Sequence, residues 1–291
     1  MYHEGECGGT TEGDESKVSP ARTDGAFSRD PWADQILWDW SYLGSGALLS
    51  LVVMCFPPEG RDGLMKTAPG ASRAADSWNV EYMHGRYTGE EPVPFVTDIL
   101  SASRHRGISR GLYLGCGNGR NFVPLVEAGL DLTGVDLPSV AIRQLSARLP
   151  TAAKRLHVGG LTVLPRGATY PLVIGIQVFQ HGDRAACHMN IRTAQHVLDL
   201  SGLFCLRVNA IGSEYEYRNE VTETHEDGSE TIRYLDGPKA GLTIHFFGRG
   251  ELDRLFKSDF LEVLPLRRVV MHRDPPRVGH WDQWEAIWQK R

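Results

Sequence analysis

The residues best placed to do chemistry lie between Gly111 and Asp136, in the stretch GLYLGCGNGRNFVPLVEAGLDLTGVD. An apolar run enters Gly115, Cys116, Gly117, Asn118 and Gly119, and the three glycines let the backbone turn sharply and approach a ligand without Cβ clashes. Asp136 stands seventeen residues past Gly119, at the end of the next apolar run. A carboxylate there can accept hydrogen bonds from both hydroxyls of a ribose, a charge-assisted pair that recognises a nucleoside. The spacing discriminates between nucleoside ligands. Dinucleotide sites use GxGxxG, which accommodates a pyrophosphate, whereas this loop reads GxGxG and continues into Arg120 and Asn121. The plainer alternatives are a simple tight turn for the glycines and a helix N-terminal acid before Ser139 for Asp136.

Histidine titrates in the range a general base needs, and His181 and His245, at or just inside the ends of strand-like runs, are the candidates. A buried, hydrogen-bonded structural histidine is the alternative for each. His181, His188 and His196 are not at HxxxH spacing, and the five cysteines are scattered with no CxxC pair, so no metal site is expected. Dispersed cysteines in odd number suggest free thiols in a reducing, cytoplasmic setting.

These residues need a frame, and from Trp78 onward short apolar runs alternate with amphipathic segments, which indicates a mostly parallel sheet covered on both faces. Helices are expected at 93–105, 121–127, 139–149, 184–198 and 250–256. Strands are expected at 111–114, 132–135, 155–158, 172–178, 203–209 and 266–271, followed by a Trp-rich tail. The result is a Rossmann-like, doubly wound α/β fold with a seven-stranded sheet, whose ligands bind at the carboxyl ends of the strands. Asp227-Gly228 between 221–225 and 230–235 is a hairpin signal, so a hairpin is expected as an insertion after the fifth strand. Its Tyr215, Tyr217, Arg218, Glu220, His225 and Tyr234 suit either a cap over an organic acceptor or a solvated excursion.

Length allows one full domain, and a net charge of −5 gives no general attraction to nucleic acid, which favours a small-molecule partner. Residues 1–64 read as a disordered or non-native extension and 65–291 as the domain. The first 30 residues lack apolar periodicity. The apolar run Leu43 to Phe56 is too short to span a bilayer and has no basic region before it, so no membrane partner is expected. An extra helix, a membrane-surface anchor, or sequence upstream of a true start at Met65 all fit Trp32 to Pro58; the leader-like MKTAPGASRAADS favours the last.

The glycine loop with Asp136 resembles the first motif of the class I S-adenosylmethionine (SAM)-dependent methyltransferases. GVDLPSVAI resembles their second motif, LVIGIQVFQHG their segment after the fourth strand, and WNVEYMHGRYTGEEP the N-terminal lid of the thiopurine, thiol and tellurite-type small-molecule methyltransferases. The resemblance covers about Trp78 to Arg291. It implies SAM held by Gly115, Cys116, Gly117, Asn118, Gly119, Asn121 and Asp136, with Leu137 on the adenine face, Gly160 and Leu161 near the adenine edge, and Gln177 and Val178 bordering the site. Trp78, Tyr82 and Tyr87 would form a lid with aromatic faces near the sulfonium, and Arg86 would pair with the methionine carboxylate. One departure matters: the family usually carries an acid after the third strand, where this chain has Gly159, Gly160, Leu161 and Thr162. The implied activity is methyl transfer to a small-molecule acceptor by a monomer or homodimer. A protein or RNA methyltransferase, a catalytically silent SAM-binding scaffold and an NAD-dependent oxidoreductase are the competing readings.

Overall fold

The computed structural model describes residues 69–273, 275 and 277–291. The expectations placed on residues 1–64, Trp32 to Pro58 included, lie outside the described residues. Helices α1 (Pro69–Met83) and α2 (Phe95–His105) lead into β1 (Arg110–Leu114), followed by α3 (Phe122–Glu127), β2 (Asp131–Asp136), α4 (Ser139–Arg148) and β3 (Leu156–Val158). Next come β4 (Tyr170–Ile176), α5 (Arg184–His196) and β5 (Leu198–Asn209), then β6 (Asn219–Thr224), β7 (Glu230–Tyr234) and β8 (Thr243–Phe246). The chain ends with α6 (Arg249–Phe256), β9 (Phe260–His272) and β10 (His280–Lys290).

Seven strands form one sheet in the order β3-β2-β1-β4-β5-β10-β9. The first five pair in parallel, and β10 runs antiparallel between β5 and β9. This is the expected Rossmann-like α/β fold. Strands β1 and β4 are buried along nearly their whole length, as strands covered on both faces must be. On one face Phe204 meets Phe179, Phe256 and Phe260, and Phe256 stacks on Trp288 with centroids 3.8 Å apart. On the other, Ile99, Phe122 and Leu145 from α2, α3 and α4 close a second apolar layer. Each such fully buried side chain contributes about 1.5–3 kcal/mol relative to exposure.

The expected hairpin after β5 forms as β6 and β7 around Asp227-Gly228, and β8 adds to β7, giving an antiparallel sheet in the order β6-β7-β8. The third strand was hidden because 243–246 is short and lies just before a helix. The Trp-rich tail forms β10, the strand that joins β9 to β5 and completes the seven.

Candidate active site

The glycine loop leaves the end of β1 and folds back on β2. Gly115 donates its N–H to the Val135 carbonyl at 2.9 Å, and its φ of +70° with the Val178 side chain pressed against its Cα leaves no room for a Cβ. Asp136, the last residue of β2, faces the loop. Its Oδ2 accepts the Gly117 N–H at 2.6 Å and its Oδ1 accepts the Leu137 N–H at 2.8 Å. A carboxylate has about four lone-pair positions, so each oxygen keeps one for a further donor. Burial pushes the Asp136 pKa up to about 6, with the two backbone hydrogen bonds holding it down only in part.

Neighbouring loop residues serve the frame. Cys116 is buried, and burial raises its thiol pKa well above the ordinary value. Asn118 donates to the Arg86 carbonyl at 3.3 Å, while its own carbonyl accepts from Arg148 at 2.8 Å. Asn121 accepts the Val93 N–H at 2.9 Å, which ties the entry of α2 to the loop. Leu137 is exposed, presenting an apolar face beside Asp136. Gly159 donates to the Asp136 carbonyl at 2.8 Å, so Gly160 and Leu161 follow directly from the strand beside Asp136. Around Gly160, among the described residues, a Cβ would meet nothing within 4 Å.

Helix α1 lies against α4 and the loop. Asn79 accepts the Val140 N–H at 3.0 Å, satisfying one of the free donors at the start of α4, and Gln144 donates to the Tyr82 carbonyl at 3.0 Å. Tyr82 is buried with its hydroxyl resting on Gly117, 2.7 Å from where a Cβ would stand. Trp78, Tyr82 and Tyr87 form an aromatic cluster with centroids 5.9 to 6.5 Å apart. Arg86 turns back to Glu81 at 3.3 Å. Asn79 and Gln144, absent from the expected site, are the residues that seat the lid. Their only signal was a helical spacing shared with many surface residues.

Beyond β4, Gln177 holds a φ of +56° and donates its N–H to the Arg207 carbonyl at 2.7 Å. A non-glycine residue in this region is strained, and such strain collects at functional sites. His181 lies on the same loop, its ring edge against Trp78 at 5.4 Å. Its Nε2 sits 3.2 Å from the Gln177 carbonyl and must donate to it, which leaves Nδ1 as the basic atom. Burial and then the Lys239 charge pull its pKa down to about 4, so the ring is neutral at pH 7.

His245 is corrected as a candidate base. It is fully buried in the insertion, with Nδ1 2.9 Å from the Thr231 hydroxyl and Nε2 3.0 and 3.1 Å from the two Glu251 oxygens. Thr231 also donates to Glu223 at 2.8 Å, so both ring nitrogens of His245 are engaged by protein groups and neither faces an open site. The glycine loop, Asp136, the aromatic lid, Gln177 and His181 are brought together, whereas His245 belongs to a separate network.

No family model and no curated protein matches the sequence. Solved structures do. The chain is similar to the Burkholderia thailandensis 1,6-didemethyltoxoflavin-N1-methyltransferase, which was solved with 1,6-didemethyltoxoflavin and S-adenosylhomocysteine (SAH); identity is 19% over 78% of this chain and 92% of that one, with a TM-score of 0.52. Similarity also extends to TehB from Haemophilus influenzae (15%, 73% and 67% covered, TM-score 0.48). The magnesium protoporphyrin IX methyltransferase of Synechocystis PCC 6803 matches at 14% (76% and 98% covered, TM-score 0.49). At such identities the likeness speaks for the fold, and by sheet order and topology this chain has the Rossmann-like α/β fold of the class I methyltransferases.

Proposed function

We propose that residues 65–291 bind SAM at the glycine loop and transfer its methyl group to a small-molecule acceptor. The observation that carries this reading is the Asp136 carboxylate, clamped to Gly117 and Leu137 with one acceptor position left on each oxygen. Two vicinal ribose hydroxyls supply the donors that fill them. Leu137 offers an apolar surface for adenine, and the open space at Gly160 admits its edge without the acid the family usually places there.

Bound SAM supplies an electrophilic methyl on a sulfonium; the chain's task is to align the acceptor and exclude water. Trp78, Tyr82 and Tyr87 cover the loop with aromatic faces suited to a cation, worth about 0.5–2 kcal/mol. His181, neutral with Nδ1 as its basic atom, would take a proton from a hydroxyl or amine acceptor, while a thiolate would need no base. The buried free thiols Cys116, Cys187 and Cys205 suit a reducing cytoplasm, and no described helix is long and apolar enough to cross a membrane.

A silent SAM-binding protein is the second reading, favoured by Gly159 and Gly160 in place of the family acid. Calorimetric titration with SAH, followed by turnover on a broad acceptor panel, tests both. Micromolar SAH binding with turnover is the expected outcome. Binding without turnover selects the silent reading, and no binding removes both.

A further inference from the structure

Among the described residues, several cations that lie at least partly out of water are held by carboxylates or carbonyls. Arg207 pairs with Glu285 at 2.8 Å, Arg184 with Asp227 at 2.7 Å and Glu251 at 2.8 Å, and Arg267 with Glu285 at 2.8 Å and Asp98 at 2.5 Å. Lys290 donates to the Gln195 and Leu198 carbonyls at 2.8 and 2.9 Å. Lys239 differs. Its ammonium lies 6.0 Å from the Trp78 ring centroid and 5.9 Å from that of Tyr234, and among the described residues no carboxylate stands within 4.0 Å of it and no acceptor takes its protons.

This placement is built into the loop. Between β7 and β8 the chain turns tightly, with Ala240 donating to the Gly237 carbonyl at 3.1 Å and Leu242 to the Lys239 carbonyl at 2.9 Å. Gly237 has a φ of +71°, and the Tyr217 ring occupies the space a Cβ would need. The turn therefore presents Lys239 to Trp78 of the lid, on the side where His181 also meets Trp78. Burial, and then the nearby Arg86 charge, lower the Lys239 pKa against the opposing pull of the more distant Glu81 and Glu216 carboxylates, and Lys239 in turn lowers that of His181. For a cation drawn partly out of water, with Glu81 and Glu216 acting only from beyond ion-pair distance, a counter-charge in contact is favourable, since attraction to two ring faces replaces only part of its lost hydration.

We propose that Lys239 receives an anionic group, a carboxylate or its equivalent, on the methyl acceptor, whose organic body lies along Trp78 and Tyr234. This rests on the methyl-transfer reading for the word acceptor, while the anion site itself rests on Lys239, Trp78 and Tyr234. It assigns the insertion a role in specificity: it carries the charge that selects organic acids over neutral analogues.

The test is ligand-observed NMR titration of the full chain with benzoate and with benzamide, which share a ring and differ in charge, each with and without saturating SAH. Benzoate should bind at least about tenfold more tightly than benzamide. K239M should abolish that difference, and K239R should keep it. A lysine that only latches the lid through its ring contacts would give equal affinities for the two compounds in the native chain. Equal affinities, a preference that survives K239M, or binding of neither compound at millimolar concentration overturns the proposal. Because the contrast is also read without SAH, a failure of cofactor binding would remove the methyl-transfer reading without deciding the anion site.

Discussion

Two carboxylates, the half-buried Asp136 and the fully buried Glu251, have opposite surroundings. Glu251 is saturated by the protein: His188 reaches it at 2.5 Å, Arg184 at 2.8 Å, His245 at 3.0 Å and the Gly248 N–H at 3.2 Å. Although burial opposes ionisation, the hydrogen bonds and charges of His188 and His245 win, and the Glu251 carboxyl sits well below the usual range. Among the described residues Asp136 has two backbone donors and no paired cation, and burial wins, placing it above the usual range. A carboxylate that the fold satisfies is part of the frame. One that the fold buries and then leaves underfilled is poised for an outside donor.

The largest expected effect falls on the saturated partner. Glu251→Ala strips His188, His245 and Arg184 of a shared counter-ion and should cost about 3–5 kcal/mol of stability, as removal of one member of a buried ionic network does. Urea denaturation checks it, and a loss under about 1 kcal/mol would mean the network is not what joins the insertion to α5 and α6.

Asp136→Ala should behave in the reverse way. Two charge-assisted hydrogen bonds to a ribose would be lost, weakening SAH binding by about a hundredfold or more, with a smaller loss of stability than in Glu251→Ala because backbone donors but no counter-ion are orphaned. Unchanged SAH affinity would break the contrast at its functional end.

Protons give the smallest and most discriminating effect. Ribose hydroxyls need the ionised carboxylate, so with a pKa of about 6 SAH should bind about tenfold more weakly at pH 5 than at pH 7. The stability signs follow. The raised Asp136 pKa stabilises the fold at acid pH and loses that contribution as pH rises through about 6. The lowered His181 pKa stabilises it above about 6.5 and loses that contribution as pH falls towards 4. Between pH 4 and 6 the two oppose each other. Asp136→Asn should therefore leave stability rising with pH more steeply there than in the native chain, by up to about 1.4 kcal/mol per unit. Parallel curves for the two proteins would show that Asp136 does not titrate as its burial requires.

Much of this arrangement is legible in the amino-acid order. The glycine turn and Asp136 fall at the ends of β1 and β2, where spacing and strand periodicity put them, because each follows an element whose pattern is local; Gln177 and the lid aromatics were marked only by the resemblance. His181 and His245 look alike at that level. Both follow apolar runs and both are histidines, yet one faces Trp78 and the other is enclosed by Thr231 and Glu251. Lys239 carries no signal, since a lysine in a Gly/Pro turn is ordinary until the turn is set against a helix 161 residues earlier in the chain.

By itself, then, the sequence determined the alternation of elements, the sharp turn at the glycines and the acid one strand later, all consequences of neighbours within about twenty residues. Tertiary structure alone decided which buried charges are compensated. His188, Arg184 and His245 reach Glu251 from 63, 67 and 6 positions away, and the Trp78 ring meets Lys239 only because α1 and the insertion fold onto the same end of the sheet. Charge compensation depends on distance in space, and no local pattern encodes it.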